Sequence, residues 1–167
     1  MKMKTLAVAA VLALSAASAS AVNVFNLGDI TASGALFASP GYASAANIDD
    51  TWIFSLTGSN NFAAQIARNF STANGSINGF AATISGGSLV GSHALTLGST
   101  DTSQELTYGA LLGTGSYSLK VTGLSQRVNT RYTFNLDVTP VPEPETYGML
   151  LAGMGVLAFV ARRRKPV

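Results

Sequence analysis

The chain has no cysteine among its 167 residues, only one histidine and one tryptophan, and just 11% of its residues are charged. Without cysteine there is no disulfide, no thiolate metal site, no cysteine nucleophile and no N-terminal cysteine to carry a lipid. The single imidazole, His93, excludes a metal cluster built on histidines and is the one base open to any Ser-His-Asp arrangement. Gly86-Gly87-Ser88-Leu89-Val90 lacks the last glycine of a Gly-x-Ser-x-Gly nucleophile elbow. The expectation is a non-enzymatic protein with no cofactor and no resident metal, stabilised by packing alone.

Charge of one sign is also scarce where it would matter most. The sequence pI of about 9.1 suggests a polyanion partner only until the charges are placed. Lys2 and Lys4 stand at one end and Arg162, Arg163, Arg164 and Lys165 at the other. Between them all eight acids meet only Arg68, Lys120, Arg127 and Arg131, a balance of −4. That excludes a basic patch for nucleic acid.

The two ends read as targeting segments. Lys2 and Lys4 precede an apolar stretch from Leu6 to Leu14 and two small-residue cleavage sites, Ala17-Ser18-Ala19 and Ala19-Ser20-Ala21. Residues 1–21 are thus read as a signal peptide, with a signal helix, cut after Ala21 or, second, after Ala19. Its partners are signal peptidase and the secretion machinery. The last 27 residues hold Val141-Pro142-Glu143-Pro144, an uncharged run from Tyr147 to Ala161, and the four terminal cations. Fifteen residues make about 22 Å of helix against a hydrocarbon core roughly 30 Å thick, so a short transmembrane helix is expected, with the cations as a basic stop on the cytoplasmic side. Pro142 and Pro144 fix φ and lack N–H groups, which predicts an open, extended processing site outside the helix.

Residues 22–140 are rich in Gly, Ser, Thr, Ala and Asn and lack a helical period, which predicts one all-β domain. Trp52, Phe54 and Leu56 share one face of a strand from Thr51 to Thr57. Tyr117, Leu119 and Val121 alternate in a second strand, and Tyr132, Phe134, Leu136 and Val138 in a third. The polar stretch Gly123–Thr130 between the last two predicts a closing hairpin. Weaker strands are expected at 22–27, 62–70, 77–84, 88–97 and 104–106, although Phe62, Ile66 and Phe70 also have the i, i+4 spacing of a helix, and a long surface loop is expected at 31–47. The pattern fits an antiparallel β-sandwich, with a jelly roll as the neighbouring arrangement.

Asp49-Asp50 admits calcium binding through oxygen ligands or an acid/base pair, but adjacent residues of a strand face opposite ways, so a turn or strand-entry role is the simpler reading. Trp52, Tyr42, Tyr108, Tyr117 and Tyr132 suggest an aromatic platform for sugars. Alternation assigns Trp52 and Tyr132 to the core and leaves Tyr42 as the exposed candidate.

The C-terminal residues Val141-Pro142-Glu143-Pro144, the apolar segment with Gly148, Gly153 and Gly155, and the basic end together resemble the PEP-CTERM proteins of Gram-negative bacteria. The resemblance implies recognition by an exosortase, an integral-membrane protease or transpeptidase of cysteine type. It further implies transient residence in the inner membrane, cleavage near the Pro-Glu-Pro motif, and delivery to the cell surface or extracellular matrix of a host that makes exopolysaccharide. Ile48-Asp49-Asp50-Thr51-Trp52-Ile53-Phe54 is similar to the signature of the FxDxF subfamily, with Asp50 at the acidic position and Ile48 and Trp52 in place of the flanking phenylalanines. A structural or adhesive role in exopolysaccharide is expected, with a carbohydrate-binding module as the alternative.

Overall fold

A computed structural model describes residues 22–30, 35–72, 75–142 and 144–163. The expected signal helix lies outside the described residues. Ten strands run in the order β1 (Asn23–Asp29), β2 (Ala35–Ala38), β3 (Asn47–Leu56), β4 (Asn60–Asn69), β5 (Ile77–Gly86), β6 (Ser92–Ala94), β7 (Thr96–Ser99), β8 (Ser103–Leu112), β9 (Gly115–Ser125) and β10 (Thr133–Pro140), followed by helix α1 (Pro144–Arg163). They form two five-stranded sheets, β1-β3-β9-β5-β6 and β2-β10-β4-β8-β7, antiparallel except where β1 runs parallel to β3. The result is the expected β-sandwich.

Alternation builds the core. Ile48, Trp52, Phe54 and Leu56 of β3, Tyr117, Leu119 and Val121 of β9, and Ile77, Phe80, Ala82 and Ile84 of β5 point inward from the first sheet. Phe62, Ala64 and Ile66 of β4, Leu106 and Leu112 of β8, and Phe134, Leu136 and Val138 of β10 meet them from the second. Phe54 stacks on Phe62 across the gap at 5.4 Å, and Trp52 tilts on Phe134 at 5.6 Å. Each such fully buried large side chain contributes roughly 1.5–3 kcal/mol.

Two local devices fit the strands to that core. In β5 the pairing with β9 slips between Asn78 and Ala81, where Gly79 takes φ +62°, so that Ile77 and Phe80, three residues apart, both face inward. Buried Gln104 on β8 acts as a strand partner for β5: its Oε1 accepts from the Ile77 N–H at 2.7 Å and its Nε2 donates to the Ile77 carbonyl at 3.0 Å. One side chain thereby joins the sheets at a backbone that would otherwise be buried unpaired.

Several expectations are corrected. β9 and β10 lie in different sheets, so no hairpin forms at Gly123–Thr130: β9 continues to Ser125, and residues 126–132 cross between the sheets. Residues 88–97 are two short strands, because the chain passes from one sheet to the other at the buried Leu95. The stretch 31–47 contains β2 and a buried Tyr42. β8 runs on to Leu112, well past Leu106.

The C-terminal helix is not a transmembrane span: no helix among the described residues is long and apolar enough to cross a membrane. Its uncharged part is the same 15 residues, about 8 Å short of a hydrocarbon core. Pro144 is its first residue, a position where the missing N–H costs nothing, so this proline starts the helix it was expected to stay outside. Glu145 in the first turn and Arg162 and Arg163 in the last complement the helix dipole. From Glu145 to Arg163 every residue is exposed.

Candidate functional site

The chain leaves the sandwich at one end, and a few bonds define the exit. Pro140 pairs with Asn60, and the Val141 N–H donates to the Ser59 carbonyl at 2.8 Å. Ser59 belongs to the β3–β4 turn, where Asn60 Nδ2 donates to the carbonyls of Thr57 at 3.0 Å and Gly58 at 3.1 Å. The Gly58 N–H in turn donates to Thr114 Oγ1 at 2.8 Å, tying this turn to the β8–β9 turn. Val141 is therefore half-buried and bonded to the domain, Pro142 is exposed, and Pro144 already belongs to α1. Glu143 lies outside the described residues. Of the basic stop, Arg162 and Arg163 close α1, with the Arg163 guanidinium 4.6 Å from the centre of the Phe159 ring, while Arg164 and Lys165 lie outside the described residues.

Asp49 and Asp50 diverge. Asp50 has no exposed surface, and three donors from three parts of the chain converge on its carboxylate. Asn23 Nδ2 on β1 donates to Oδ1 at 2.8 Å; the Tyr132 hydroxyl, beside β10, donates to Oδ2 at 2.5 Å; the Tyr42 hydroxyl, between β2 and β3, donates to the same oxygen. Trp52 Nε1 completes the cluster by donating to the Tyr132 hydroxyl oxygen at 2.9 Å. Burial, and then the hydrogen bond and charge of Asp50, push the Tyr42 and Tyr132 hydroxyls well above the usual tyrosine range.

Asp49 faces the other way and pairs with Lys120 Nζ at 3.0 Å. The two carboxylates are not brought to one point, and among the described residues no group of three or more His, Asp or Glu side chains is placed to hold a metal ion. A carboxylate sealed in this way joins both sheets and a loop; it cannot touch a substrate. Tyr42, expected to be exposed, is 8% exposed because its hydroxyl belongs to this cluster. His93 lies exposed on the edge strand β6, its ring 6.2 Å from that of Tyr108.

The outer face of the second sheet carries a shallow depression of about 690 Å³. Ala63 and Gly109 floor it, and Gln65, Thr96, Thr107, Asn135 and Asp137 supply polar groups around them. Small floor residues next to amides and a carboxylate make a polar, open surface.

Sequence reasoning missed Asn23, Ser59 and the depression. Asn23 becomes significant only when β1 pairs with β3, and Ser59 only when Val141 reaches it; neither has a local pattern.

In arrangement the chain is similar to three solved structures. The pre-peptidase C-terminal domain of a collagenase from Bacillus anthracis has 11% identity over 69% of this chain and 95% of that one, with a TM-score of 0.46. PliG of Aeromonas hydrophila, a periplasmic inhibitor of g-type lysozyme, has 11% identity over 71% and 100%, with a TM-score of 0.41. A family 35 carbohydrate-binding module from an environmental isolate has 18% identity over 61% and 74%, with a TM-score of 0.31. No curated protein sequence matches the chain. Residues 140–165, which begin at the last residue of β10 and take in the whole of α1, match the PEP-CTERM protein-sorting motif, the mark of an exported protein with a membrane-anchored intermediate that an exosortase processes.

Proposed function

We propose that this chain is a non-enzymatic protein of the cell surface or extracellular matrix, a structural or adhesive component within exopolysaccharide. Residues 1–21 are the signal peptide, 22–140 the working domain and 141–167 the sorting signal that exosortase removes. The observation that carries this reading is the sorting motif itself, which starts where the strand pairing ends. Among the described residues, those from 22 to 140 form the sandwich, and those from Glu145 to Arg163 are exposed. The inward placement of Ile48, Asp50 and Trp52 on β3 supports membership of the FxDxF subfamily, since the signature positions alternate on the core face. Intact-mass measurement of the surface form tests the proposal. A terminus between Val141 and Glu145 is the expected result, and retention of Arg162 to Lys165 would sink it.

A second reading is favoured by the depression on the outer sheet face: a carbohydrate-binding module of the polysaccharide layer. Amide and carboxylate side chains around a floor of small residues suit the hydroxyl groups of a neutral sugar chain. Retention on immobilised polysaccharide that disappears when Asn135 and Asp137 are both changed to Ala supports it; retention unaltered by the double change dismisses this face.

A further inference from the structure

We infer that the exit end of the sandwich is a docking surface for the membrane-embedded enzyme that cleaves the sorting segment; this rests on the processing reading above. The first ground is reach. Val141 is fixed to Ser59, and Pro144 is already helical, so three extended residue steps, roughly 11 Å at most, separate the bonded backbone from the helix. Three more residues of helix, about 4.5 Å, lead to the apolar run at Tyr147. A protease cleft takes its substrate extended over several residues, and here that length does not exist free of both the domain and the helix. The enzyme therefore meets the end of the sandwich.

The second ground is the chemistry of that end. The turns at the end where Val141 leaves are Thr57–Ser59, Gly113–Thr114 and, bonded to the latter, Gly87–Gly91, and none contains a charged residue. They are bound into one surface: Gly58 to Thr114 as described, and Gly113, whose N–H donates to Ser88 Oγ at 2.9 Å and whose carbonyl accepts from the Tyr117 hydroxyl at 2.7 Å. Apolar side chains stand out from it, Val90 at 94% and Leu111 at 65% exposure. Leu111 pairs with Asn61, one residue from the Asn60–Pro140 pair, which places it beside the exit. The cations lie elsewhere: Arg68, Arg127 and Arg131 gather at the opposite end, where Arg68 donates to the Arg131 carbonyl at 2.8 Å. Of the charged residues in the sheets Asp29, opposite Ser55 at the end of β1, points to this end, and Glu145 follows beyond the exit in the first turn of α1. An uncharged, tightly bonded surface with protruding apolar groups suits contact with a protein at the membrane, where a charge would have to be desolvated.

The test follows processing of the full chain in cells that carry the enzyme, by intact mass over time. Val90→Lys with Leu111→Lys, and separately Val90→Glu with Leu111→Glu, are each expected to slow cleavage by about tenfold, as charge of either sign must be stripped of water. Val128→Lys, exposed at the far end, serves as control, and thermal melting of each variant shows that folding is intact. An eight-residue Gly-Ser insertion between Val141 and Pro142 is expected to restore the rate by removing the forced approach. Native rates in both charged pairs, or slowing that the insertion leaves unrelieved, overturn the docking surface. Slowing by Glu but not by Lys means that the end meets anionic lipid headgroups, which overturns the enzyme as its partner. Wild-type chain that keeps its basic tail defeats the processing reading itself, a result distinct from all of these.

Discussion

Leu119 in β9 has no exposed surface, whereas Leu157 in α1 is 70% exposed. The two regions draw on the same apolar residues and use them in opposite ways. In the sandwich they recur at every second position, so each sheet has a dry face and a wet face, and the dry faces find each other. In α1 they surround the helix on all sides and find nothing in their own chain. Without a separate polar and apolar face, the uncharged stretch of the helix has no side that would seat it on the sandwich. The contrast teaches that the domain is specified by packing and the tail by order along the chain: short proline motif, apolar run, basic end. Substitutions should therefore act on one region through stability and on the other through recognition.

The sharpest way to break that division is to attack the sandwich at a charged residue. Asp50→Ala leaves the buried donors of Tyr42 and Tyr132 and the half-buried donor of Asn23 without their acceptor, and a loss of about 3–5 kcal/mol is expected in denaturant unfolding. A loss below about 1 kcal/mol would show that the cluster is not a structural joint.

An intermediate effect is expected from alkali. Tyr42 and Tyr132 hold their protons more tightly folded than unfolded, so their contribution is complete below the unfolded value near pH 10 and declines as pH rises beyond it. Each tyrosine should remove up to about 1.4 kcal/mol for each pH unit above that point. Circular dichroism against pH should show a steeper alkaline loss in the native chain than in Tyr132→Phe, measured relative to each protein at pH 8.

The smallest effect should come from the tail. Ending the chain after Pro142 keeps the Val141–Ser59 bond and removes only exposed residues, so the melting free energy of the domain should change by less than about 0.5 kcal/mol. A larger change would mean that α1 supports the sandwich and that the two regions are one unit.

How much of this was legible beforehand depended on which residues sat on which face. β3 and β10 were readable because every inward position holds a large apolar residue, except Asp50, and most outward ones are polar. β8 was readable only to Leu106, because beyond it the small Gly109 and Ala110 and the outward Leu111 interrupt the alternation that Tyr108 and Leu112 continue. The switch of sheets at Leu95 was invisible, since a strand that changes sheets keeps its composition. Gly123–Thr130 is long enough to turn back in one sheet or to cross to the other, and only the pairing of β10 with β2 and β4 decides it. Around the candidate sites, the sorting segment was plain because its information is consecutive. The Asp50 cluster was not, since its donors lie at positions 23, 42 and 132 and meet only in the folded chain.

That separation along the chain also sets a timetable. An exported chain crosses the membrane amino-terminus first, and Asp50 must wait for Tyr132, 82 residues later, before its carboxylate is satisfied. Contacts of such long range form late. Tyr132 is followed after only 15 residues by Tyr147 and the apolar run. The residue that closes the Asp50 cluster therefore leaves the ribosome shortly before the apolar run does. The last contact that the core needs and the first residue of the sorting segment are thus neighbours in the order of synthesis.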